Sequence, residues 1–224
     1  MTPPGTHLFL LGFAAGVSLL PLTVYARLSP RWLRWLLLAV GLFVTSRYVV
    51  MALFTRAALS PTLWELRRCW WATSVGLTLP SVFAVDRLLC HPAMTPKRLL
   101  QWYAPFLAVL GLFLVLAPAR PLLDPAFGWL PQMPWVGRTL FFTTEVLFVI
   151  GFLAGCAFFI LKVPSPPIRS ALLVLALSQV LFGIAEGLRL VAERRFVWSS
   201  LGIELLVLVA LWHAYETAFR LQNQ

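Results

Sequence analysis

The sequence predicts an all-α, polytopic integral membrane protein with seven transmembrane helices, its N-terminus outside and its C-terminus inside. Composition is the first observation behind this. Of 224 residues, 60% are hydrophobic and only 12% are charged, against about 25% charged residues in soluble domains. The second is repetition: between Pro, Gly and charge breaks, apolar runs recur at the roughly 20 residues that a helix needs to cross a hydrocarbon core about 30 Å thick. The third is the lack of any long polar stretch, so that residues 1–224 read as a single transmembrane domain.

The spans are expected at about 7–26, 32–54, 63–89, 98–118, 138–162, 168–190 and 196–218. The first follows "MTPPGT", which has no basic residue before the apolar run, so it is expected to stay as a helix and not to be cleaved as a signal peptide. The second follows "RLSPRWLR" and holds Arg47 well inside its apolar run. The third is the least uniform, with Glu65, Arg67 and Arg68 in its first turns and Pro80 at its centre. Before the fifth lies "APARPLLDPAFGWLPQMPWVGR", with five prolines from Pro118 to Pro134. This segment is expected to lie over the outer face, either as a cap or as an interfacial spacer. The fifth and sixth spans are joined by "KVPSPPIRS", a turn in which prolines stop one helix before the next begins. The seventh carries Glu204 and His213.

Basic residues beside the span ends set the orientation. With the N-terminus outside, the inner side receives nine: Arg27, Arg31, Arg34, Arg87, Lys97, Arg98, Lys162, Arg169 and Arg220. The outer side receives eight: Arg56, Arg67, Arg68, Arg120, Arg138, Arg189, Arg194 and Arg195. Acidic Glu65, Asp124 and Glu193 offset part of the outer set, and an uncharged N-terminus followed by the arginines of "ARLSPRWLRW" favours the same orientation. Most of the ten Trp then fall at headgroup depth, where an indole has one apolar edge and one hydrogen-bonding edge, and read as anchors.

Several function classes are disfavoured. The net charge of +10 comes from cations scattered singly and in pairs between apolar runs, which suits anionic lipid headgroups and not nucleic acid. Cys69, Cys90 and Cys156 form no CxxC pair, and His7, His91 and His213 lie on different segments, so no disulfide framework, metal site or haem is expected. No HExxH, GxSxG or SxxK arrangement occurs, so neither catalytic residues nor a cofactor are expected.

Charge instead collects at one depth. Arg47 lies about two-thirds of the way up an ascending second helix, and Glu145 and Glu204 about two turns below the outer starts of the fifth and seventh. Glu65, Arg67 and Arg68 open the third helix on that side, and Glu186 and Arg189 close the sixth. Four arginines thus match four glutamates in one outer layer. An isolated charge in hydrocarbon costs a few kcal/mol or more, so such groups are expected to face the bundle interior or a wet cavity. Helical spacing agrees: Gln179, Glu186 and Arg189 share one stripe, Ser200 and Glu204 another, and Arg67, Ser74, Thr78 and Ser81 a third. The candidate ligand-binding set is Arg47, Arg67, Arg68, Glu145, Glu186, Arg189 and Glu204, with the arginine forks suited to a carboxylate or phosphate. The alternative is that these groups only pair with one another and fix the packing. The inner half is almost wholly apolar, which favours a receptor-like pocket over a conduit.

Two segments, "LWELRRCWWATSVGLTLPSVFAVDRLL" and "PPIRSALLVLALSQVLFGIAEGL", resemble the third and sixth helices of the seven-helix N-terminal membrane sensor module of bacterial histidine kinases and related signalling proteins. The resemblance implies a sensor in the bacterial inner membrane, binding a small polar or anionic ligand in an outward-facing pocket among membrane lipids. No PAS, kinase or cyclase domain follows within these residues, so it further implies output through a cytoplasmic or membrane signalling partner. A small-solute transporter, the substrate-binding membrane subunit of one, and a structural membrane subunit are the rival expectations.

Overall fold

The computed structural model describes residues 4–89, 95–116, 118–125, 127–191 and 197–222, with side chains for all of these except 4, 189–191 and 197–199. Helices dominate it: α1 (Pro4–Ser18), α2 (Leu20–Tyr25), α3 (Arg31–Arg56), α4 (Pro61–Glu65), α5 (Ala72–Leu89), α6 (Pro96–Leu116), α7 (Trp135–Lys162), α8 (Pro166–Val191) and α9 (Val197–Gln222). A 3₁₀ turn, Leu66–Trp71, joins α4 to α5. Six stretches are long and apolar enough to cross a membrane: Gly5–Tyr25, Arg31–Arg56, Pro96–Leu116, Trp135–Lys162, Pro166–Leu188 and Ser200–Gln222. The chain is a helical, multi-pass membrane protein.

Local chemistry explains most boundaries. Pro21 has no N–H to offer the carbonyl one turn back, so the first apolar run breaks at Leu19 and the Leu22 amide bonds Leu19 O at 3.1 Å. Ser60 caps α4, its hydroxyl accepting from the Leu63 amide at 3.1 Å, with Pro61 in the first turn. On α7, Arg138 lies over Trp135 at 5.5 Å and Lys162 over Phe158 at 4.7 Å. These two cations are 24 residues apart (162 − 138), about 36 Å of helix, which matches the separation of two headgroup layers.

The proline-rich segment contains a two-stranded ribbon. Strands β1 (Arg120–Asp124) and β2 (Gly128–Gln132) pair antiparallel, Leu122 opposite Leu130. The Asp124 carboxylate accepts from the Phe127 amide at 3.2 Å, and Gly128 turns the chain with φ +76°. A side chain at Gly128 would sit 2.6 Å from Thr55 Cα and against the Phe54 carbonyl, so the turn lies directly on the end of α3. Thr55 Oγ1 donates to Phe127 O at 3.2 Å, and the Phe127 ring meets His7 edge-on at 5.2 Å. The start of α1 and the end of α3 thus share the hairpin end of the bundle.

The opposite end carries ionic contacts. Arg87, near the end of α5, donates to Ser29 O at 3.1 Å and pairs with Asp86 at 2.7 Å. Glu216 of α9 approaches Arg27 and Arg220, each at 3.6 Å.

Between these ends α5 runs through the middle, in contact with α3, α6, α7, α8 and α9. All its residues from Ala72 to Asp86 are buried, Thr73, Ser74, Thr78 and Ser81 among them. A helix walled by other helices can carry hydroxyls that a lipid-facing helix could not, because its partners are protein groups. Gly76 lets α3 come close: a side chain there would run into the Val44 methyl. Gly76→Leu is therefore expected to lower the thermal midpoint in detergent by the equivalent of about 1–3 kcal/mol, and Val44→Ala in the same chain to recover part of the loss, as differential scanning fluorimetry would read.

Candidate functional site

Of the seven residues that the sequence points to, the structure joins two directly. Arg47 of α3 and Glu204 of α9 are fully enclosed, at 2% and 0% exposure, and Arg47 Nη2 donates to Glu204 Oε1 at 2.6 Å. The second carboxylate oxygen, Oε2, accepts from the Tyr48 hydroxyl at 3.2 Å. Arg47 and Tyr48 are adjacent on a helix and do not share a face, yet both side chains are long enough to flank one carboxylate. Arg47 Nε is buried without a hydrogen-bond partner.

Arg67 and Arg68 lie in the 3₁₀ turn and share a different partner. Glu65 takes Arg67 at 3.1 Å and Arg68 at 3.2 Å, with Arg68 and Glu65 both exposed. Arg67 is half-buried, donates to Trp64 O at 3.0 Å and lies over the Trp64 ring at 5.4 Å. The 3₁₀ turn aligns Arg67 with Trp70, three residues apart, and Trp64, in the last turn of α4, lies beside Arg67 on the same side. Phe54, from the end of α3, stacks against both indoles, its ring centre 6.1 Å from that of Trp64 and 6.1 Å from that of Trp70. Trp70 in turn lies under the Arg47 guanidinium at 5.7 Å. One continuous column of cations and rings therefore runs Arg67, Trp64, Phe54, Trp70, Arg47, from the half-buried rim to the buried ion pair.

The remaining candidates are placed elsewhere around α5. Glu145 of α7 is buried and close enough to the Tyr103 phenol of α6 to interact with it electrostatically. That phenol shares a 2.6 Å hydrogen bond with Thr78 and packs edge-on against Phe148 at 5.6 Å. Glu186 is half-buried on α8. The side chain of Arg189 lies outside the described residues, as do Glu193, Arg194 and Arg195.

The hydroxyl stripe of α5 is closed by protein partners. Gln179 Nε2 donates to Ser81 Oγ at 2.7 Å and to Leu77 O at 3.3 Å, while Tyr215 donates to Pro80 O at 2.9 Å. These donors from α8 and α9 arrive where Pro80 interrupts the helix's own bonding. Among the described residues, no three His, Cys, Asp or Glu side chains gather to hold a metal ion.

Sequence reasoning missed Tyr48, Phe54, Trp64 and Trp70 as parts of this site, reading the tryptophans as lipid anchors. The available signal was the three-residue spacing of Trp64, Arg67 and Trp70, which keeps all three on one side only where the chain tightens to three residues per turn beyond Glu65. No protein-family model, curated protein or solved structure matches the chain, so the site is interpreted from its own chemistry.

The arrangement can hold one buried charge pair and link it mechanically to a cation at the rim. Removing either partner alone leaves an uncompensated buried charge. Arg47→Met and Glu204→Leu are each expected to lose about 3–5 kcal/mol of stability. The double replacement is expected to lose far less than the sum, a coupling that denaturant unfolding in micelles would measure.

Proposed function

We propose that this chain is a seven-span membrane sensor, N-terminus out and C-terminus in, that recognises a small anionic solute at the hairpin end and passes the change to a signalling partner on the inner side. The observation that carries the reading is the column from Arg67 to the Arg47–Glu204 pair. A carboxylate or phosphate that takes Arg67 and Arg68 from Glu65 gains bidentate, charge-assisted bonds. Moving Arg67 moves Trp64, and the stacked rings carry that displacement to Arg47. The ligand then biases the packing of α3 against α9 by its differential affinity for the two arrangements.

The seventh span in this reading is α5. Support comes from its ends: it starts after the end of α3, which meets the hairpin, and finishes where Arg87 bonds Ser29. Its lesser apolarity follows from its central position, since its neighbours and not lipid surround it. Placement in a bacterial inner membrane and an output partner rest on the resemblance to sensor modules.

A structural lock is the second reading, and the complete enclosure of Arg47 and Glu204 favours it. The two readings differ in a thermal-shift titration with inorganic phosphate, succinate and citrate. For a sensor, at least one anion raises the melting temperature of the parent chain, and Arg67→Gln removes the shift while the distant Lys162→Gln keeps it. No shift with any of the three, or an equal shift in Arg67→Gln, leaves the lock. Uptake of the stabilising anion into proteoliposomes would make the protein a carrier.

Orientation has its own test. Leu123, 60% exposed on β1, and Ser165, in the turn before α8, are the positions for single cysteines in a chain with its three native cysteines replaced. An impermeant maleimide added to intact cells is expected to label Leu123→Cys and to leave Ser165→Cys unlabelled. The reverse pattern inverts the orientation, and equal labelling removes the seven-span topology.

A further inference from the structure

A second site lies at the other end of the bundle, away from the charged layer. A cavity of about 320 Å³ opens between α5, α6 and α7, walled by Val82, Trp102, Phe152, Gly155 and Phe159, with Arg98 at its mouth. This volume is at the lower end of the roughly 300–1,000 Å³ typical of ligand sites. Arg98 is the only charged side chain among the described residues that line it, and the rest of the wall is apolar. The shape of the site is set by a gap on α7: a side chain at Gly155 would meet no atom within 4 Å, whereas Trp102 leans across Gly151 with its ring 3.6 Å from where a side chain would begin. Gly155 leaves the space and Trp102 forms one wall of it.

Depth identifies the occupant. Arg98 stands in the first turn of α6 beside Lys97, and both are exposed. Trp102 follows one turn further in, half exposed, at the position of an interfacial aromatic. α6 has the smallest buried share of the six apolar stretches, 17%, and its Trp102 is half exposed, so the α6 wall of the cavity is the one beside the surrounding acyl chains, while Val82 and Phe152 close its inner side. An apolar slot that opens sideways, with a cation at headgroup level, complements a phospholipid of negative headgroup: the chain fills the slot and the phosphate meets the guanidinium fork.

We infer that the groove between α5, α6 and α7 is a binding site for one anionic phospholipid, with its acyl chain along Gly155 and Phe152 and its headgroup on Arg98. Such a lipid touches α5, the helix that Tyr103, Gln179 and Tyr215 bond from three sides, and so wedges its inner half against α6 and α7. The inference rests on the membrane placement of the chain and not on recognition of a solute at the hairpin end, so the two fail separately.

Native mass spectrometry of the delipidated full-length chain, titrated with dioleoyl phosphatidylglycerol or dioleoyl phosphatidylcholine, tests it. One phosphatidylglycerol per chain is expected to bind about five-fold more tightly than phosphatidylcholine. Gly155→Leu, which fills open space, is expected to abolish this tight binding. Arg98→Gln, a change at an exposed position, is expected to keep binding but lose the preference between the two lipids. Equal affinity for both lipids in the parent overturns the proposal, as does a phosphatidylglycerol affinity unchanged in Gly155→Leu. A bilayer measurement gives an independent reading: acyl-brominated phosphatidylglycerol should quench the fluorescence that Trp102→Phe removes, and brominated phosphatidylcholine should quench it less. Equal quenching by the two lipids counts against the site in the same way.

Discussion

In hydrocarbon a polar group has no water to turn to, and that constraint organises the bundle from the inside. α5 is where it acts most strongly. It carries four buried hydroxyl residues and a mid-helix proline, any of which would be expensive on a lipid-facing surface. Surrounding it with five other helices gives three of these positions an interhelical bond: Thr78 to Tyr103 of α6, Ser81 to Gln179 of α8, the Pro80 carbonyl to Tyr215 of α9. The polar residues thus specify which helices sit against α5 and at what height, something that dispersion between leucines would leave loosely defined.

The same constraint sorts the ionisable groups by depth. Glu65, Arg67 and Arg68 lie at the rim, where an exposed pair contributes roughly 0–1 kcal/mol and can exchange partners readily. Arg47 and Glu204 lie in the interior, where neither can be without the other. Between the two sits a column of aromatic rings, apolar enough for the core and still attractive to a guanidinium at each end. An easily exchanged ion pair is thereby connected to one that is not.

Apolar runs made the helices legible. The spans expected at 32–54, 138–162 and 168–190 correspond to α3, α7 and α8 within three residues at each end, because periodicity over twenty residues averages out local ambiguity. Legibility failed where the chain leaves the α-helical period. The span expected at 63–89 is a short helix, a 3₁₀ turn and then α5, and within the turn Arg67 and Trp70, three residues apart, fall on one side. The hairpin at 120–132 was obscured by prolines, which are tolerated there because a two-stranded ribbon has edges on both sides: Pro121 and Pro131 face each other across it. Matching charges anticipated that Arg47 would meet a glutamate. Which one depends on how α3 and α9 pack, and no local pattern in a single sequence encodes that.

The position of the buried pair determines what a change there can move. Glu204 and Glu216 lie on one helix, 12 residues apart (216 − 204), a separation of about 18 Å. Glu204 holds α3 near the hairpin end, and Glu216 approaches Arg27, just after α2, at the other. A helix is stiff along its axis, so a shift or rotation of α9 that relieves one contact must be accommodated at the second. The lower contact is long, at 3.6 Å, and Arg27 is largely exposed, so it yields at little cost, whereas the upper one is short and dry. Tyr215, one residue before Glu216, is nevertheless fully buried and donates to the Pro80 carbonyl at 2.9 Å, so α9 is held to α5 near this end as it is held to α3 at Glu204, and the exposed Arg27 contact adds little to either.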